Sequence, residues 1–233
     1  MNHNGQVDII LAGVGGQGIL SIAAILGHAA LSQGLRLKQA EVHGMSQRGG
    51  DVQSHLRISD TEIHSDLVPF GGADIVLSVE PLESLRYLPY LKPDGWVVTS
   101  ITPVRNIPDY PELDAVLREI DALPHSLAVD AEAIAREVKN RLGMNMVMTG
   151  AASPFLPLPF DALTRGIAGV FGRKGDEVVA ANVAALEAGR RFSLDRLAAA
   201  GVVVSGGGSA VSGGGSAVSG AGSSGAAAGD TPR

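Results

Sequence analysis

Two short segments of the chain hold the backbone freedom and side chains that ligand chemistry needs. Gly13, Gly15 and Gly18 stand in the spacing G-x-G-x-x-G, with Gly16 and Gln17 between them. A turn of this kind, leaving a strand and opening a helix, presents free N–H groups and the positive end of a helix dipole to a phosphate or carboxylate. The same glycines equally serve close packing of helix on sheet, and the spacing does not separate the two uses. The second segment reads Glu41-Val42-His43-Gly44-Met45-Ser46-Gln47-Arg48-Gly49-Gly50-Asp51. Arg48 supplies a planar guanidinium suited to paired bonds with phosphate or carboxylate, and Gly49 and Gly50 permit close backbone approach by another molecule. His43 is able to exchange a proton near neutrality. Against a catalytic reading, an isolated histidine is more often structural, and Arg48 has Glu41 and Asp51 to pair with. His43, His55 and His64 are too scattered for a metal centre and no H-E-x-x-H spacing occurs, so no metal site is expected.

The elements that must position these segments follow from periodicity. Residues 7–12 are an apolar strand running into the glycines, and from Ile19 the residues Ile22, Ala23, Leu26, Ala29 and Ala30 recur at helical spacing. A second strand is predicted over 35–41. A third is predicted over 52–58, where Val52, Ser54, Leu56 and Ile58 alternate with Gln53, His55 and Arg57. Central strands are expected at 75–79 and 96–99, with helical character over 81–90 between them. A strand at 126–130 precedes helices over 131–142, 144–152 and 176–192, with Pro154, Pro157 and Pro159 forcing an extended linker and a further helical pattern starting at Asp161. Alternating strands and helices of this kind spell an α/β fold: a doubly wound, Rossmann-like sheet with helices on both faces and right-handed crossovers. A dinucleotide site in such a sheet expects an acid at the end of the second strand, yet Glu41 leads into a polar loop, which weakens a nicotinamide reading.

Composition sets outer bounds. With 233 residues, 45% hydrophobic and 18% charged, the chain is long enough for one substantial core. The expected division is a domain over 1–195 and a flexible tail over 196–233, since from Gly201 glycine, serine, alanine and valine dominate and cannot bury enough apolar area to offset ordering. A net charge of −6 advertises no surface for nucleic acid. The absence of cysteine excludes disulfides and thiolate-held iron–sulfur clusters in this chain. With no basic-then-apolar leader and no apolar run of bilayer length, a cytoplasmic protein without membrane contact is expected.

Taken together, Gly13-Val14-Gly15-Gly16-Gln17-Gly18, then His43-Gly44-Met45-Ser46-Gln47-Arg48-Gly49-Gly50, then His55-Leu56-Arg57-Ile58-Ser59 resemble the gamma-type domain of 2-oxoacid:ferredoxin oxidoreductases. The octapeptide is most like the beta subunits of the indolepyruvate type, and the resemblance runs from about residue 7 to about residue 193. It implies a small subunit that holds no cofactor alone. Thiamine diphosphate, Mg2+ and iron–sulfur clusters would belong to a large alpha subunit, in a heterodimer or heterotetramer passing electrons to ferredoxin. Coenzyme A, as co-substrate, would approach a composite site lined here by Gly13, Gly15, Gly16, Gln17, Gly18, Ser46, Gln47, Arg48, Gly49 and Gly50, with His43, Gly44 and Met45 at the partner interface. No catalytic residue is expected in this chain alone; the implied reaction is oxidative decarboxylation of an arylpyruvate to an aryl-acetyl-CoA. Two other readings stay open: a free-standing NAD-dependent oxidoreductase, and a purely structural adaptor.

Overall fold

A computed structural model of the chain describes residues 5–43, 49–105, 107–205 and 209–211. The strands are β1 (Val7–Val14), β2 (Arg36–His43), β3 (Asp51–Ser59), β4 (Ala73–Ser78), β5 (Leu91–Ser100) and β6 (Ser126–Val129), with a short pair β7 (Val203–Ser205) and β8 (Ser209–Val211) near the end. The helices are α1 (Ile19–Ser32), α2 (Pro81–Arg86), α3 (Leu113–Asp121), α4 (Ala131–Glu137), α5 (Met144–Ala152), α6 (Phe160–Phe171) and α7 (Asp176–Ala199).

The first six strands form one sheet in the order β2-β3-β1-β4-β5-β6. β1, β4, β5 and β6 are mutually parallel, as the alternation of strands and helices predicts. β3 departs from that scheme: it runs antiparallel to both β1 and β2, inserting a hairpin arm where a second parallel strand was expected. Only the loop over residues 44–50 joins β2 to β3, too short for the helical crossover a parallel pair requires. β2 therefore points the same way as β1 but lies one strand farther out.

Helices cover both faces of the sheet, unequally. One face carries α1, α4, α5, α6 and α7 over a core that includes Ile9, Leu11, Leu56, Ile58, Ile75, Leu77 and Val98. The other is thinner, with α2 and the Tyr87–Tyr90 turn over Ile10, Ala12, Val76 and Val97. Being closed on both sides, β1 is buried along its whole length, which is why it reads as a continuous apolar run. Its one acid, Asp8, is satisfied by its cross-strand partner: Arg57 donates Nε to Oδ1 at 2.8 Å and Nη2 to Oδ2 at 3.0 Å. The alternation on β3 is realised, with Val52, Leu56 and Ile58 in the thick core and His55 on the opposite face, where Nδ1 accepts from the Val68 N–H at 3.0 Å. That bond gives His55 a structural role, and His64 is exposed.

On the thick face, α5 and α7 cross with their backbones in contact. A Cβ placed on Gly150 would lie 1.9 Å from the Leu186 carbonyl oxygen, and one on Gly189 would lie 2.0 Å from that of Val147. Several boundaries differ from the sequence reading. α3 was not anticipated. Pro154 sits in a 3-10 turn, Ser153–Phe155, that continues α5. α7 runs on to Ala199, with Leu197 buried in the core, beyond both 192 and the expected domain boundary at 195. Within the glycine-rich terminal stretch, β7 and β8 pair antiparallel, Val203 opposite Val211, because valines there flank a glycine run that is able to turn.

Candidate functional site

The parallel strands end together along one edge of the sheet, where ligands of open α/β folds commonly bind. Both segments singled out by residue type come to this edge. β1 ends at Val14, opposite Asp51, and its last glycine, Gly13, faces Val52. Gly13 serves packing: a Cβ there would lie 2.6 Å from Val79 Cγ2. Gly16 and Gly18 adopt φ of +103° and +73°, conformations that side chains resist, and Gly18 opens α1 without a side-chain cap. Gln17 folds inward, its Oε1 accepting from the Val14 N–H at 2.7 Å and its Nε2 donating to the Val79 carbonyl at 3.1 Å. It fastens the turn to the end of β4.

The twin glycines of the second segment lie directly against this turn. The Gly15 N–H donates to the Gly50 carbonyl at 2.8 Å, and the Gly49 N–H donates to the Gly15 carbonyl at 3.2 Å. Two residues thus oppose one, with Gly49 at φ +76°, the geometry of a glycine β-bulge that bends the chain at the sheet's edge. The close backbone approach anticipated for Gly49 and Gly50 is made to Gly15 of the same chain. His43 ends β2 opposite Val52. Gly44, Met45, Ser46, Gln47 and Arg48 lie outside the described residues.

Beside the turn is a cleft of about 390 Å³ whose walls include Gly15, Gly16, Ile19, Leu20, Glu41 and Val52. Glu41 belongs to this cleft because β2 runs parallel to β1 and ends at the same edge; the sequence reading had set it aside. Asn145, at the start of α5, ties the turn down from the helical side, donating Nδ2 to the carbonyls of Gln17 at 2.8 Å and Gly18 at 3.1 Å. Its signal in the sequence is a polar residue at the head of an otherwise apolar helix.

On the sheet's other face the same edge carries an acidic group that the sequence did not disclose. The Tyr87 hydroxyl donates to Asp51 Oδ2 at 3.1 Å, fastening the start of β3 beside the bulge. Burial, with Asp51 next in effect, holds the Tyr87 phenol well above its ordinary value. Glu83 is pushed up by burial, opposed by its Arg86 partner at 2.8 Å. Glu80 caps α2 by accepting from the Glu83 N–H at 2.9 Å, and accepts from Tyr110 at 2.5 Å and the Val104 N–H at 3.2 Å, securing the chain after β5. Among the described residues no group of three or more histidine, aspartate or glutamate side chains could hold a metal ion.

Fold and cleft define a class: an α/β protein whose mixed sheet offers a glycine-turn pocket at the carboxyl edge, rimmed by a bulged loop. Comparison with known proteins narrows it. The family model for pyruvate ferredoxin/flavodoxin oxidoreductases matches residues 8–192, and the chain belongs to that family. It is 40% identical over 165 residues to the indolepyruvate oxidoreductase subunit IorB of Pyrococcus horikoshii, covering 67% of this chain and 81% of the relative. It is 42% identical over 163 residues to the subunit of the same name from Thermococcus kodakarensis, covering 66% and 80%. In structure it is similar to the 2-oxoglutarate:ferredoxin oxidoreductase of Magnetococcus marinus, solved with 2-oxoglutarate, coenzyme A and succinyl-CoA bound, with a TM-score of 0.65 and 23% identity over 83% of this chain. Only 32% of that longer chain is matched, and at this identity the likeness concerns the fold alone. Among the described residues no helix is long and apolar enough to cross a membrane.

Proposed function

We propose that this chain is the small subunit of a 2-oxoacid:ferredoxin oxidoreductase of the indolepyruvate type, active only with a larger subunit. The observation that carries the reading is the junction of the two motifs, Gly15 bonded to both Gly49 and Gly50, which makes the glycine turn and the base of the arginine-bearing loop one continuous rim at the ligand edge of the sheet. Relatives near 40% identity that are named indolepyruvate oxidoreductase subunits support the substrate class.

In this reading an arylpyruvate and coenzyme A become an aryl-acetyl-CoA and carbon dioxide, and two electrons leave for ferredoxin. Thiamine diphosphate with Mg2+, bound by the larger subunit, supplies the decarboxylation chemistry, and clusters there carry the electrons. This chain has no cysteine with which to ligate a cluster, which accords with that division. Its own residues bind and orient: the Gly15–Gly18 turn and its cleft receive the adenosine-phosphate end of coenzyme A, and Arg48 engages an anionic group of that ligand or a carboxylate of the partner.

The test is co-expression with the larger subunit, followed by purification and assay of arylpyruvate- and coenzyme-A-dependent ferredoxin reduction. The expected result is activity in the complex and none in either chain alone; turnover by this chain alone would sink the proposal. Arg48→Lys keeps the charge but loses the planar fork, and is expected to raise KM for coenzyme A about tenfold or to weaken assembly. Unchanged kinetics in an intact complex would remove Arg48 from the site.

A further inference from the structure

The cleft beside the glycine turn is poorly suited to the bare phosphate its spacing suggests. The Gly15 N–H is already committed to the Gly50 carbonyl, and the Gln17 amide group is turned away to Val14 and Val79. The wall facing the turn carries the carboxylate of Glu41, which makes no ion pair or hydrogen bond among the described residues. An unneutralised carboxylate repels an anion and seeks hydrogen-bond donors. The remaining surface is apolar, from Ile19, Val52 and Leu20, the last 48% exposed. Spacing points the same way. β3 lies between β1 and β2, so the turn and Glu41 stand two strand separations apart, roughly 10 Å, a span for a nucleoside rather than a single phosphate group.

We infer that Glu41 is a specificity-determining residue of this cleft: its carboxylate accepts hydrogen bonds from the sugar hydroxyls or amino group of a nucleoside lying on Leu20 and Val52, and it excludes phosphate from that position. The inference rests on the coenzyme A reading and sharpens it, since the ligand's adenosine occupies the cleft while its phosphates lie outside. Glu41 is exposed on an edge strand, so Glu41→Gln keeps shape and fold while removing the charge.

Saturation-transfer NMR titration of the full chain with adenosine, with and without inorganic pyrophosphate as competitor, reads the cleft directly. Adenosine is expected to bind, to lose about tenfold in affinity in Glu41→Gln, and to resist displacement by pyrophosphate. In the assembled enzyme the same substitution is expected to raise KM for coenzyme A by a similar factor with kcat unchanged. Displacement of adenosine by pyrophosphate, equal adenosine affinity in wild type and variant, or no adenosine binding would each overturn the assignment. If the adenosine results hold while the assembled complex shows no coenzyme-A-dependent turnover, the oxidoreductase reading fails and the role of Glu41 stands.

Discussion

A methyl group added at Gly150, where α5 meets α7, would be driven to 1.9 Å from a backbone oxygen, whereas one added at Gly16 would meet nothing within 4 Å. Both positions exclude a side chain, for unlike reasons. At the crossing, two helices share one surface and glycine is required because the neighbour is already there. At the turn the backbone itself, at φ +103°, favours glycine, and the space beside it is open. The first arrangement is finished within the chain; the second leaves room for another molecule. Glycine content alone does not distinguish architecture from site, but what a Cβ would touch does.

The sharpest test of the contrast is Gly150→Ala. Its Cβ can be accommodated only by prying α5 from α7, so the loss in a urea unfolding midpoint is expected to reach about 3 kcal/mol or more. Adding Gly189→Ala should be far from additive, because one separation of the helices relieves both clashes. Gly16→Ala comes next: with no clash to relieve, it is expected to lose only the backbone strain, about 1–2 kcal/mol. A loss as large as that of Gly150→Ala would break the comparison. Asn145→Ala removes the bonds that hold Gln17 and Gly18 and is expected to lower stability by about 1 kcal/mol, with faster amide exchange at the head of α1 while the α5–α7 crossing stays protected.

The smallest effect is electrostatic and confined to the edge. Burial raises Glu83 above its ordinary 4.5, so the folded chain holds that proton more tightly than the unfolded one. Its contribution is most favourable below pH 4.5 and declines as pH rises through the folded value. Glu83→Gln is expected to flatten that part of the stability profile, as followed by urea midpoints at a series of pH values. A slope that survives the substitution assigns it to another group.

Much of this arrangement was readable from residue order. The apolar run of β1, the 3.6-residue periodicity of α1 and the strict alternation on β3 each report burial on one or two faces, and burial is what those patterns encode. Strand direction is another matter. Alternation on β3 is the same whether the strand runs parallel or antiparallel, so placing β2 beside β1 by analogy moved Glu41 out of the site that the structure puts it in. α3 escaped notice because only Val116 and Ile120 on it are buried, too few to set a visible period. The Tyr87–Asp51 bond joins residues 36 positions apart and depends on the packing of α2's end against β3, for which no local signal exists. Gly49 and Gly50 were rightly marked for close approach, but the sequence does not say that the approaching backbone is the chain's own.

The bulge at Gly49 and Gly50 also works as an index mark. A strand's side chains change faces with every single-residue shift, and β3 has opposite requirements on its two sides: Leu56 and Ile58 in the thick core, His55 and Arg57 bonded beneath the other face. Anchored to Gly15 at its first residues, β3 has one alignment available. Residues inserted into the preceding loop would lengthen the loop and leave the sheet untouched, whereas one residue added after Gly50 would turn a bidentate arginine into the oily interior and two core hydrophobes out of it.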